Sequence, residues 1–85
     1  METLQGIELE RLRWRSRRGL LENDLVLQNF YRQFETQLYP ERVAGLNNLL
    51  DLDDTDLWDL LAGRSELAAG ASAQAREVLD LLRRC

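Results

Sequence analysis

At 85 residues the chain can bury only about 60 to 65% of the surface its unfolded form exposes, which leaves a thin core and argues against a substrate cavity of roughly 300 Å³ or more. It has no His and one Cys, Cys85; an ordinary zinc site, a Ser-His or Cys-His nucleophile pair and any side chain titrating near pH 7 by default are thereby excluded. Eleven Arg, no Lys and fifteen acids give a net charge of −4, which opposes non-specific nucleic-acid binding.

The first predicted helix spans residues 4–18. Leu4, Ile7 and Trp14 recur near one helical face, with Leu9 and Leu12 on another, and Glu8 with Arg11 and Glu10 with Arg13 are supporting i,i+3 pairs. Gly19 is expected to end this helix in the left-handed conformation, with Arg17 and Arg18 complementing the dipole in its last turn. The second helix starts near Leu21, carries Glu22 and Asp24 in its first turn, and has the clearest apolar stripe: Leu27, Phe30, Tyr31, Phe34 and Leu38. Pro40 cannot continue that helix but suits the first turn of a third, over residues 40–50, with Val43, Leu46, Leu49 and Leu50 inward. Asp53 or Asp54 offers the N-cap of a short fourth helix over residues 55–62, which buries Leu57, Trp58, Leu60 and Leu61 and ends at Gly63. Residues 64–70 read as a loop, after which Ser72 caps a fifth helix carrying Ala75, Val78, Leu79 and Leu82 inward.

No segment alternates like a strand, so the expected fold is all-α: a compact five-helix bundle, with residues 1–85 as a single domain and a monomer when free. No run approaches the roughly 18 apolar residues of a membrane span, and the N-terminus lacks the apolar core of a signal peptide. Scarce cysteine adds to this, and the expectation is a cytoplasmic protein without direct membrane insertion. Five of the eleven Arg fall in residues 11–18, while Asp51, Asp53, Asp54, Asp56 and Asp59 crowd one later stretch, so a basic end and an acidic end are expected. The acidic stretch lacks the glycine and the bidentate Glu of an EF-hand loop; capping and solvation explain it.

The most distinctive segment is Arg17-Arg18-Gly19-Leu20-Leu21-Glu22-Asn23-Asp24, where two guanidiniums, a glycine and two carboxylates fall at the junction of two helices. Helix-end chemistry alone accounts for such a corner: cations at a C-terminus, glycine as the cap, acids at an N-terminus. The wider pattern adds to this. Trp14-x-x-Arg17-Arg18-Gly19-x-x-Glu22-x-Asp24, followed by Leu49-Leu50-x-x-Asp53-Asp54-x-Asp56-Leu57 and then Gly63, resembles the FAD assembly factors of succinate dehydrogenase, in order and spacing, over residues 8–63. The family's Arg-Gly-x-x-Glu signature maps onto Arg18, Gly19 and Glu22. Trp58 and the Gly-Ala loop near residue 70 fall outside the likeness.

The resemblance implies a small five-helix chaperone, not an enzyme. Members bind the flavoprotein subunit of succinate dehydrogenase, and of fumarate reductase in some bacteria, and promote covalent attachment of FAD to a subunit histidine. It further implies a partner-binding corner of Trp14, Arg17, Arg18, Gly19, Glu22 and Asp24, no catalytic, metal or cofactor-binding residues, and no tightly bound cofactor, since FAD travels with the client. The residue types suit such docking, since arginine offers a planar fork for carboxylates or carbonyls and glycine lets a partner backbone approach closely. Glu22 either meets a partner cation or holds Arg18. Two rivals from other classes are a nucleic-acid-binding regulatory module, suggested by the stripe Arg11, Arg15 and Arg18, and an antitoxin-like interaction protein; overall acidity opposes the first.

Overall fold

A computed structural model of the chain describes residue 3, residues 5–17 and residues 19–85. Leu4, expected to face inward, and Arg18, a candidate partner contact, lie outside the described residues. Within them five α-helices follow one another, α1 (Gly6–Arg15), α2 (Leu21–Phe34), α3 (Pro40–Leu50), α4 (Asp54–Leu61) and α5 (Ala73–Arg83), with a 3-10 turn at Glu35–Gln37 and no strand. No described helix is long and apolar enough to cross a membrane.

Local chemistry explains most boundaries. Pro40 opens α3, and Tyr39 before it is extended (φ −67°, ψ 158°), as the residue preceding a proline prefers. Of the two candidate caps of α4, Asp53 serves: its carboxylate accepts the Asp56 N–H at 2.8 Å. At the other end of α4 Gly63 takes φ +78°. Its N–H reaches the Leu60 carbonyl at 3.1 Å while that of Arg64 reaches Asp59 at 2.8 Å, the double closure of a Schellman motif. Ser72 caps α5 by accepting the Ala75 N–H at 3.0 Å, and Asn48 of α3 donates to the same hydroxyl at 3.0 Å.

The exit from α1 departs from the sequence expectation. The helix stops at Arg15, with Ser16 as its right-handed C-cap (φ −76°, ψ −14°). Positive φ among the described glycines occurs only at Gly6 and Gly63, so Gly19 is not the left-handed cap. The Ser16 hydroxyl donates to the Leu12 carbonyl at 2.9 Å, a side-chain bond that competes with helix continuation. The end of α2 also differs: the helix closes at Phe34 and tightens into the 3-10 turn, and Leu38 is buried only after that turn.

Leu27, Phe30, Leu38, Leu46, Leu49, Leu57, Val78 and Leu82 form a fully buried centre. Phe30 packs edge-on against Tyr31, with ring centroids 5.8 Å apart. Helices α3 and α5 pack tightly at Gly45, where an added Cβ would stand 2.3 Å from the Gln74 carbonyl oxygen. Helix α1 contributes buried Leu12 and partly buried Leu9. The alternative face, Ile7 and Trp14, points outward: these side chains are 67% and 70% exposed. Trp58 is half-buried.

Candidate functional site

The turn from α1 to α2 is built from both flanking helices and from α4. Before it, the Ser16 hydroxyl meets the Tyr31 hydroxyl at 2.5 Å, and Tyr31 also donates to the Leu12 carbonyl at 3.3 Å. Arg13 spans the same interface, its guanidinium 5.5 Å from the Tyr31 ring centre and 3.4 Å from the Glu35 carboxylate. The α1 end is therefore seated on α2 by a buried hydroxyl pair with a cation above it.

Of the expected contact residues, Trp14 is exposed, and the Arg17 guanidinium stacks over its ring at 5.5 Å. Gly19 is exposed at the turn, and its N–H donates to Oδ2 of Asp54 at 3.2 Å. Glu22 and Asp24 occupy the first turn of α2, Glu22 exposed and Asp24 half-buried. Trp14, Arg17 and Asp24 line one open groove of about 1000 Å³ between α1 and α2, whose floor includes Leu27 and Tyr31. Gly19 and Glu22 sit beside that groove and not in its lining. The turn thus presents a stacked Trp-Arg pair and a trough on one side, a glycine backbone and a carboxylate on the other.

Several contributors besides Trp14 carry no local signal in the sequence. Ile7, Trp14, Leu21 and Leu25 are the exposed large apolar side chains among the described residues, and all belong to α1 or α2. Asn23 is fully buried, with its amide nitrogen donating to the Asp54 carbonyl at 3.0 Å and its Oδ1 lacking a partner among the described residues. The acidic stretch does more than cap and solvate: Asp53 caps α4, but Asp54 reaches Gly19 and Asp51 forms an ion pair with Arg15. The basic and acidic stretches therefore meet instead of forming two ends. The one hint of this in the sequence is that both stretches belong to a single family pattern.

The distant terminus adds little chemistry. Burial pushes the Cys85 thiol up from its ordinary value, and its Sγ lies 3.3 Å from the Leu81 carbonyl as a donor. No group of three or more Cys, Asp or Glu among the described residues is arranged to hold a metal ion.

Residues 10–85 match the family described as flavinator of succinate dehydrogenase. A protein of Ralstonia nicotianae named FAD assembly factor SdhE is 47% identical over 74 residues, covering 86% of this chain and 78% of its own. A Legionella pneumophila protein of the same name is 35% identical over 78 residues, covering 92% and 94%, and one from Vibrio vulnificus is 39% identical over 67 residues, covering 76% and 78%. No solved structure matches at a significant level. With the family match extending from within α1 to the last residue, this chain belongs to the FAD assembly factors, the flavinators of succinate dehydrogenase.

Proposed function

We propose that this chain is a docking factor and not an enzyme: the turn carrying Trp14, Arg17, Arg18, Gly19, Glu22 and Asp24 binds the flavoprotein subunit of succinate dehydrogenase, or of fumarate reductase, and favours covalent attachment of FAD. The observation that carries this reading is the placement of the exposed apolar side chains. Ile7 and Trp14 precede the turn, and Leu21 and Leu25 follow it. A monomer gains nothing by concentrating large apolar groups on two adjoining helices, whereas protein interfaces combine such groups, especially Trp with Arg, with a polar rim. Arg17 stacked on Trp14 is a partly ordered anchor of that kind.

FAD belongs to the client in this reading, and so does the acceptor histidine, since the chain has no His. What the chain supplies is orientation: a client held in one geometry brings histidine and flavin together more often, and bond formation is the flavin's own chemistry. Gly19→Arg tests the reading. The Gly19 backbone is not left-handed, and a Cβ there meets Asp54 Oδ2 at an ordinary 3.5 Å, so the variant is expected to keep its far-UV helicity. It should nevertheless fail to capture the purified flavoprotein, and in-gel flavin fluorescence of that subunit should fall in cells carrying only the variant. Unchanged covalent flavin in those cells would overturn the docking role of the turn.

A further inference from the structure

Between the end of α1 and the start of α2 the chain has five residues. Among the described ones, Gly19 leans on the first turn of α4, remote in sequence. The Gly19 N–H donates to the Asp54 carboxylate at 3.2 Å, a bond strengthened by the charge on its acceptor. The buried Asn23 amide donates to the Asp54 carbonyl at 3.0 Å, so the residue that holds Gly19 is itself gripped by the first turn of α2. Asp54 is thus bonded through its side chain before α2 begins and through its backbone just after.

The carboxylate of Asp54 is not needed to start α4. Capping is done by Asp53, which accepts the Asp56 N–H at 2.8 Å. Nor does Gly19 itself require Asp54 to relieve strain, because it is outside the left-handed region. What the bond does fix is the direction of the Gly19 N–H at the exposed turn.

We propose that Asp54 is a positioning residue for client docking: its carboxylate sets the Gly19 N–H, and Asn23 holds Asp54 in register with α2, so that the two sequence motifs separated by some thirty residues act as one device. The proposal rests on the docking reading above, for which Asp54 makes no direct client contact.

The test uses the full chain with Asp54→Ala and Asp54→Asn. Alanine removes the acceptor; asparagine keeps a carbonyl oxygen for Gly19 and removes the negative charge that favours a helix N-terminus. In amide NMR of the free protein, the Gly19 resonance should move upfield in Asp54→Ala and exchange with solvent about tenfold faster, with most of both changes reversed in Asp54→Asn. Affinity for the purified flavoprotein subunit of succinate dehydrogenase should fall about tenfold in Asp54→Ala and recover in Asp54→Asn, while the thermal midpoints of the two variants stay close. Equal loss of affinity in both variants would overturn positioning in favour of charge. A Gly19 amide that ignores Asp54→Ala would overturn the bond itself. Should the unmodified chain not bind the flavoprotein, the docking reading falls and takes the client half of the proposal with it, whereas the Gly19 amide still decides whether Asp54 shapes the turn.

Discussion

Ser16 and Tyr31 meet hydroxyl to hydroxyl at 2.5 Å, and both lie within hydrogen-bond reach of the Leu12 carbonyl, at 2.9 and 3.3 Å, so that two protons serve three contacts. This buried triangle seats the last turn of α1 on the middle of α2. It also explains why α1 ends where it does, two residues before the charged turn.

A pH dependence follows from the same contact. Burial pushes the Tyr31 phenol up from 10.0 to about 12, against the opposing pull of the Ser16 hydrogen bond and the Arg13 charge. The folded chain therefore binds this proton more tightly than the unfolded chain, and the contribution is fully present below about pH 10 and lost as pH rises towards 12. At about 1.4 kcal/mol per pH unit, it amounts to about 2 to 3 kcal/mol. Tyr31→Phe should start lower near neutral pH, by about 1 kcal/mol for the lost hydrogen bonds, and then decline less. Urea denaturation of both proteins from pH 8 to 11.5 should give curves that converge and then cross between about pH 10 and 11; parallel curves would show that Tyr31 is not responsible.

The tight packing of α3 on α5 yields a second expectation. A Cβ on Gly45 would stand 2.3 Å from the Gln74 carbonyl oxygen and 2.9 Å from Cγ2 of Val78, so α3 and α5 must part to admit it. Alanine is favoured over glycine in a helix by about 1 kcal/mol, but overpacking typically costs about 1 to 3 kcal/mol and more where backbone is the obstacle. Gly45→Ala should therefore be less stable than the parent, whereas Gly70→Ala, with nothing within 4 Å of the added carbon, should change stability by less than about 0.5 kcal/mol. Chemical denaturation of the pair checks the contrast.

The helices from α3 onward were legible because single residues punctuate them: Pro40, Asp53, Gly63 and Ser72 each do in space what their chemistry suggests in sequence. The end of α1 was not, since a glycine near a helix end has the same local signature whether or not it caps. What decided the matter was Tyr31, fifteen residues away from Ser16. The apolar face of α1 was ambiguous for a related reason. Ile7 with Trp14 and Leu9 with Leu12 are both helical spacings, and only packing selects the second for the core. For the site, the charged turn was visible as a pattern, but the bonds from Asp54 to Gly19 and Asn23 join residues 35 and 31 positions apart, and local periodicity carries no information at that range.

The outward turn of Trp14 separates folding from docking experimentally. Its ring is 70% exposed and is covered only partly by the Arg17 guanidinium at 5.5 Å, an exposed cation–π contact of about 0.5 to 1 kcal/mol. Trp14→Ala should thus cost less than about 1 kcal/mol of stability. Phe30, fully buried against Tyr31 and Phe34, should cost about 3 to 5 kcal/mol when replaced by alanine. For binding the order reverses: a Trp anchor at the centre of an interface is worth about 2 kcal/mol or more, so Trp14→Ala should weaken capture of the flavoprotein at least about thirtyfold while remaining as folded as the parent. Titration of the purified flavoprotein with a folded Trp14→Ala protein is the decisive measurement, and parental affinity there would remove Trp14 from the docking face.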